Sequence, residues 1–187
     1  MRKWLPLVGL MAIACGPSEP SVSNNTPPSA TNNEKVYGVK NPDRIFQLDT
    51  LEKTTIKTPG GDLNLWIMDN QEKEREGMMF LKDGEVKENE GMIFVFKDVQ
   101  VLPKPGDSNG REIGFWMSHT LLPLDIVYIS KDKKVVNVGK GKPLDESIIK
   151  PEGDYQYVIE VKQGLAGKFG LDKGKSVDIS SNIKAKE

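Results

Sequence analysis

Short stretches of alternating or continuous hydrophobic residues follow one another along the chain from residue 51 onward. Leu63, Leu65 and Ile67 alternate with Asn64, Trp66 and Met68, which predicts a strand with two distinct faces. Together with the segment 54–58 and the Pro-Gly-Gly turn at 59–61, this strand predicts a β-hairpin. The segment 92–96 is apolar at every position, which predicts a strand buried on both faces.

Residues that typically begin or end helices and strands predict the remaining elements. A short helix should begin after a cap at Asp69 or Asn70 and end near Gly77, and a second should end at Gly170. Further strands are predicted at 113–120, 124–130, 135–139, 155–161 and 175–180, which makes seven to nine strands in all. The pattern favours an α+β class: one compact, mostly antiparallel β domain over residues 51–180, barrel- or sandwich-like, with two short helices. The polar tail 181–187 is expected to fray.

The N-terminal segment has the pattern of a lipoprotein signal peptide. Arg2 and Lys3 precede a short apolar run, and the chain's only cysteine, Cys15, follows "AIA". We expect a signal peptide at 1–14 and acyl chains such as palmitate on Cys15, an ordinary signal peptide being the alternative. Residues 16–34 predict a flexible tether. The connecting segment 35–50 is either the end of that tether or a first strand packed by Ile45, Phe46 and Leu48.

These features predict a lipid-anchored protein of the cell envelope. In a Gram-negative cell we expect the outer membrane or a periplasmic face, and Gly16 after the cysteine favours the outer membrane over retention at the inner one. A net charge of −1 provides no basic field for nucleic acid, so no nucleic-acid partner is expected. There is no Gly-x-Ser-x-Gly motif and no glycine-rich phosphate loop, and a single histidine disfavours a zinc hydrolase.

Several blocks of the sequence resemble, in order, the bacterial and archaeal family called domain of unknown function 192. The blocks are "EREGMMFL", "NEGMIFVF", "FWMSHTLLPLDIVYI", "KKVVNV" and "YVIEVKQGLAGKFGLDKGKSVDI", within about residues 61–180. The resemblance implies a compact β-rich fold and export or lipid anchoring, with no established activity. Met78 replaces the family's Leu, Ser118-His119 replaces its Lys-Asn, and the loop 99–111 is longer than usual.

Five residues are candidates for a binding site: Arg75, Trp116, Thr120, Asp125 and Glu160. We predict a groove lined by the first four, with the Pro-rich loop 101–110 at its edge, unless Trp116 belongs to the core. Asp125 lies in an apolar strand, so it either caps the turn around Pro123 or belongs to the polar pocket. Glu160 either faces solvent or, as the family resemblance suggests, pairs with Arg75 or Arg111.

The expected function is a non-enzymatic module that binds a small ligand or an envelope protein and needs no cofactor. Two alternatives stay open. Asp125 and Glu160 form a carboxylate pair for hydrolysis of a cell-wall or carbohydrate substrate in the first. In the second, Met117 and His119 share a face of the strand 113–120 and bind copper as Cu(I). On such a strand Ser118 points away from His119, which excludes it as a nucleophile activated by that histidine.

Overall fold

The computed structural model describes residues 40–104 and 112–186. The predicted signal peptide, Cys15, the tether, residues 105–110 of the Pro-rich loop and Arg111 lie outside the described residues. The strands are β1 (Lys53–Thr58), β2 (Gly61–Met68), β3 (Glu90–Gln100), β4 (Leu124–Ile129), β5 (Val135–Gly141) and β6 (Tyr155–Lys162). The helices are α1 (Gln71–Glu76) and α2 (Leu165–Lys168), with a 3₁₀ turn at Asp83–Glu85.

The six strands form one sheet in the order β1-β2-β3-β6-β4-β5. Only β2 and β3 are parallel, and the connection between them, 69–89, is long enough to carry α1 and the 3₁₀ turn. All other neighbouring strands are antiparallel. The predicted α+β class with a mostly antiparallel sheet is therefore confirmed, but the sheet is open, with β1 and β5 at its edges, and does not close into a barrel.

Both faces of the sheet are covered, because successive residues of each strand point to opposite sides. One face packs beneath α2 and the segment 169–179, and we call this the α2-side core; its strand residues include Leu65, Ile93, Val127 and Ile159. The other face packs beneath the connections 78–86 and 115–122, and we call this the α1-side core; its strand residues include Trp66, Phe94, Tyr128 and Val158.

Two predicted strands are absent from the described residues. The segment 113–120 forms one isolated bridge, from Phe115 to Ile149, and then turns at Ser118 and His119, where His119 has φ 54°. The segment 175–180 forms a single bridge, from Ser176 to Lys134. Both segments have the alternating pattern of a strand, but within the described residues neither pairs with another strand beyond its single bridge.

The segment 40–52, which we call the strap, consists of turns and bends packed on the α1-side core. Leu48 accepts a hydrogen bond from the Trp66 indole (3.0 Å), and Phe46 and Leu48 contact this core. Ile45 is 82% exposed, contrary to its predicted packing. The strap is thus neither the end of a tether nor a strand. The tail is also held as far as Lys186, whose ammonium lies 2.8 Å from Asp69.

Candidate functional site

The five predicted binding residues do not converge on one site. Arg75 and Trp116 line one groove on the α1 side of the molecule. Thr120, Asp125 and Glu160 are buried, at 4%, 0% and 5% exposure, and none of them lines that groove. The structure therefore supports a groove that includes Arg75 and Trp116 and places the other three residues in the packed interior.

The groove, which we call the α1 groove, has a volume of about 630 Å³. One wall is α1, with Gln71, Glu74 and Arg75, and the opposite wall is the segment 112–116. Aromatic side chains form much of its surface: Phe96, Phe115, Trp116 and Tyr155. A neighbouring depression shares Gln71, Glu74, Phe96 and Gln100 with the groove and extends towards Lys186.

The local sequence explains the positions of the groove residues. The side chain of Asn70 accepts a hydrogen bond from the Lys73 N–H (3.0 Å), so α1 begins where the capping pattern predicts. Phe115 is fixed by its bridge to Ile149 and by edge contact with Phe94, and Met117 is fully buried. Trp116, between these two anchored residues, is 48% exposed and does not belong to the core.

Glu74 is the groove residue that sequence reasoning missed. Burial, together with the negative charge of Asp69, raises the pKa of Glu74 to about 7. Asp69 stays ionised, because hydrogen bonds from Lys186 and Lys73 outweigh its burial and hold its pKa below the usual value. Neither Glu74 nor Arg75 forms an ion pair within the described residues, so among these residues the groove presents a carboxyl and a guanidinium that are not paired.

Replacing Glu74 by glutamine should raise the free energy of unfolding, relative to that of wild type, more at pH 8 than at pH 5. A carboxyl whose pKa is raised from 4.5 to about 7 on folding stabilises the folded state at low pH, and this contribution is lost as the pH rises from 4.5 through 7. Allowing for partial exposure, we expect the variant to gain about 1 kcal/mol over wild type across this range. Urea unfolding at both pH values measures the gain. Glu72→Gln, exposed on the same helix, is the control, and an equal gain in both variants would contradict the assignment.

Asp125 is held beneath α2, away from the α1 groove. One carboxylate oxygen, Oδ2, accepts the N–H groups of Gly164 (2.8 Å) and Ala166 (3.0 Å) at the start of α2. The other, Oδ1, accepts a hydrogen bond from the ammonium of Lys140 (2.6 Å), its cross-strand neighbour in β5. The buried aspartate thus has both backbone donors and a cation, and it caps a helix rather than the turn around Pro123.

The register of β4 against β6 separates the two carboxylates of the hydrolase alternative. Asp125 is opposite Val161, and Glu160 is opposite Ile126. Val161 belongs to the α2-side core and Ile126 to the α1-side core, so Asp125 and Glu160 lie on opposite faces of the sheet. The sheet separates the two carboxylates, so no substrate could lie between them. Asp125 and Glu160 therefore cannot act as the carboxylate pair of the hydrolase hypothesis.

Glu160 is buried on the α1 side and does not face solvent. Burial raises its pKa to about 8, although a hydrogen bond from the Met78 N–H and the charge of Arg44 act in the opposite direction. The nearby cation is thus Arg44 of the strap, whereas Arg75 is exposed in the groove and Arg111 lies outside the described residues. Among sequence features, only the apolar residues Ile45, Phe46 and Leu48 indicated that this segment packs, and of these Ile45 is exposed.

The turn at 117–120 changes the interpretation of the lone histidine. Met117 is fully buried against Gly141, whereas His119 is exposed and its ring lies 5.1 Å from that of Phe80. They do not share a strand face, which removes the geometric argument for copper. Ser118 Oγ lies 3.1 Å from His119 Nδ1, so the predicted separation of these two side chains is wrong. Thr120 completes the turn by donating to the Ser118 carbonyl (3.3 Å).

Two absences apply to the described ranges 40–104 and 112–186. No group of three or more His, Cys, Asp or Glu side chains there is arranged to hold a metal ion. In the same ranges, no helix is both long enough and apolar enough to cross a bilayer.

The profile of DUF192, described as an uncharacterized ACR, matches residues 53–179. The chain belongs to the DUF192 family. The resemblance noted from the sequence blocks is thereby confirmed, and the match includes the residues of the α1 groove but begins after the strap.

Two solved structures are similar to the DUF192 domain. One is a Sinorhizobium meliloti 1021 protein described as a candidate transcription regulator: TM-score 0.56, identity 22%, covering 68% of this chain and 94% of that one. The other is a Novosphingobium aromaticivorans DSM 12444 protein of unknown function: TM-score 0.53, identity 25%, covering 75% and 91%. These likenesses support the fold. No curated protein matches the chain.

Proposed function

We propose that this protein is a lipid-anchored DUF192 domain of the cell envelope that binds a ligand through the α1 groove and catalyses no reaction. The observation that carries the proposal is the composition of the groove. It combines an exposed indole, Trp116, with a guanidinium, Arg75, and a carboxyl, Glu74, and neither charged group has an ion-pair partner in the described residues. Binding sites commonly combine aromatic surface with a few polar groups in this way.

The ligand that fits this groove is a peptidoglycan fragment or a related carbohydrate. The apolar face of a sugar ring packs well on an exposed indole such as Trp116. Arg75 provides forked donors for a peptide carboxylate, and Glu74 provides an acceptor for an amino or hydroxyl group. The predicted anchor would hold the domain in the compartment where such fragments occur.

Calorimetric titration of the full-length protein with soluble peptidoglycan fragments tests this proposal. We expect Trp116→Ala to weaken binding by at least about tenfold, equivalent to about 1.4 kcal/mol, because the stacking surface is lost. Leu121→Ala is the matched control, since Leu121 is also an exposed apolar residue (43%) but does not line the groove. Equal affinity of the two variants, or no binding by wild type, would refute the proposal.

The anchor is proposed from the sequence pattern around Cys15. Replacing Cys15 by serine should release the protein from the membrane fraction into the soluble fraction, because the acyl chains supply the membrane affinity. Ultracentrifugation of cell lysates, with a high-salt wash to remove electrostatic association, measures the distribution. Retention of the variant in the washed membranes would mean that the cysteine is not the anchor.

A further inference from the structure

The side chain of Arg44 reaches from the strap into the domain interior. Its Nη1 donates to the carbonyl oxygens of Gly77 (2.9 Å) and Met79 (2.5 Å). Its Nη2 lies 3.2 Å from Glu76 Oε2, and the two side chains are only 1% and 8% exposed. Its Nε donates to the strap's own Phe46 carbonyl (3.1 Å). A single guanidinium is therefore surrounded by three carbonyls and a carboxylate, nearly out of contact with water.

In the described part of the chain, one acceptor of the pocket and one donor of the arginine remain without a hydrogen bond. Glu160 contributes a second carboxyl close to Arg44. Within the described residues, Glu160 Oε2 and Arg44 Nη2 are buried atoms without a hydrogen-bond partner. Glu76 also accepts the N–H groups of Ile45 (2.6 Å) and Phe46 (3.0 Å), so it fixes the strap backbone as well as the guanidinium.

The residues that form this pocket lie within the DUF192 match, and the arginine that occupies it does not. Glu76, Gly77, Met79 and Glu160 lie within the DUF192 match, whereas Arg44 precedes the first matched residue, 53. Gly77 has φ 43°, a left-handed backbone conformation that favours glycine. A Cβ at this position would lie 3.1 Å from Phe94 Cζ and 3.4 Å from Glu160 Oε2. Glycine at the end of α1 thus leaves room for the Phe94 and Glu160 side chains.

We propose that the DUF192 domain of this protein contains a guanidinium-binding pocket, formed by Glu76, Glu160 and the carbonyls of Gly77 and Met79, and that Arg44 is its cis ligand. The ligand class follows from the donor geometry. One nitrogen bonds two carbonyls while the next faces a carboxylate, which matches the planar fork of a guanidinium and not the single centre of an ammonium. The proposal is independent of what the α1 groove binds.

Chemical rescue of the full-length Arg44→Ala variant tests this site. We expect ethylguanidinium to raise the thermal midpoint of the variant by about 4 °C at ten times its dissociation constant. Ethylammonium at the same concentration should give no rise, because it cannot bond both carbonyls and the carboxylate at once. Wild type should not respond to either compound, since Arg44 fills its pocket.

Further readouts keep the test decisive. If Arg44→Ala does not fold in buffer, recovery of its near-ultraviolet circular dichroism by ethylguanidinium replaces the thermal midpoint. Adding Glu76→Gln to the variant should weaken the rescue, because it removes the carboxylate that faces the guanidinium. The proposal is overturned if ethylguanidinium rescues neither property, if ethylammonium rescues equally, or if wild type is stabilised to the same extent.

Discussion

Arg44→Ala is expected to lower the free energy of unfolding by about 4 kcal/mol, a large fraction of the about 5–15 kcal/mol that typically stabilises a domain. The reason is the asymmetry of a buried ion pair. Removing the guanidinium leaves the Glu76 carboxylate without its cation and leaves the Gly77 and Met79 carbonyls without their donor. The strap also loses its deepest contact, so the packing of Phe46 and Leu48 on the α1-side core should weaken.

Urea unfolding of a double-mutant cycle measures this effect. Arg44→Ala, Glu76→Gln and the double variant should show a coupling energy of about 1–3 kcal/mol, as expected for a buried pair in contact. Arg75→Ala is the matched control, because Arg75 is exposed and should change stability by no more than about 0.5 kcal/mol. An Arg44→Ala variant as stable as Arg75→Ala would show that the strap only rests on the surface.

The elements that were predicted correctly are those whose signals are local. The hairpin of β1 and β2 has its turn residues between two alternating segments, and α1 has its Asn70 cap and its terminal Gly77. The segment 113–120 has the same kind of alternation but is not a strand. Alternation indicates which side chains share a face if the chain is extended, and it does not show whether a neighbouring strand is present to pair with it.

The site was predictable only in part, for a related reason. Arg75 and Trp116 are polar or aromatic residues next to buried ones, and both line the α1 groove. In the sequence, Glu74 looks like an ordinary surface residue of a helix. Its raised pKa results from burial and from Asp69, which lies outside the helix, so no pattern within the helix indicates it. Arg44 and Glu160 are 116 positions apart in the sequence, and no local pattern predicts a contact between residues so far apart along the chain. The separation of Asp125 from Glu160 likewise depends on strand register, which sequence alone does not specify.

Asp125→Ala is the second substitution with a large expected effect, a loss of about 3 kcal/mol in the free energy of unfolding. The change leaves the N–H groups of Gly164 and Ala166 without their acceptor, and the unsatisfied donor of buried Ala166 alone costs about 1–3 kcal/mol. It also removes the anion that pairs with Lys140. Chemical denaturation of the variant measures the loss, and hydrogen exchange at Gly164 and Ala166 should accelerate as the start of α2 opens.

Lys140→Ala distinguishes the two roles of this carboxylate. The Lys140 side chain is 57% exposed, so its ion pair should contribute no more than about 1 kcal/mol, whereas the cap of α2 lies in the interior. We therefore expect Lys140→Ala to cost much less than Asp125→Ala and to leave exchange at Gly164 and Ala166 slow. Equal losses in the two variants would instead make the ion pair with Lys140 the main contribution, and the helix cap would be secondary. A cap-dominated result would place Asp125 among the residues that hold the sheet to α2, on the face opposite the α1 groove.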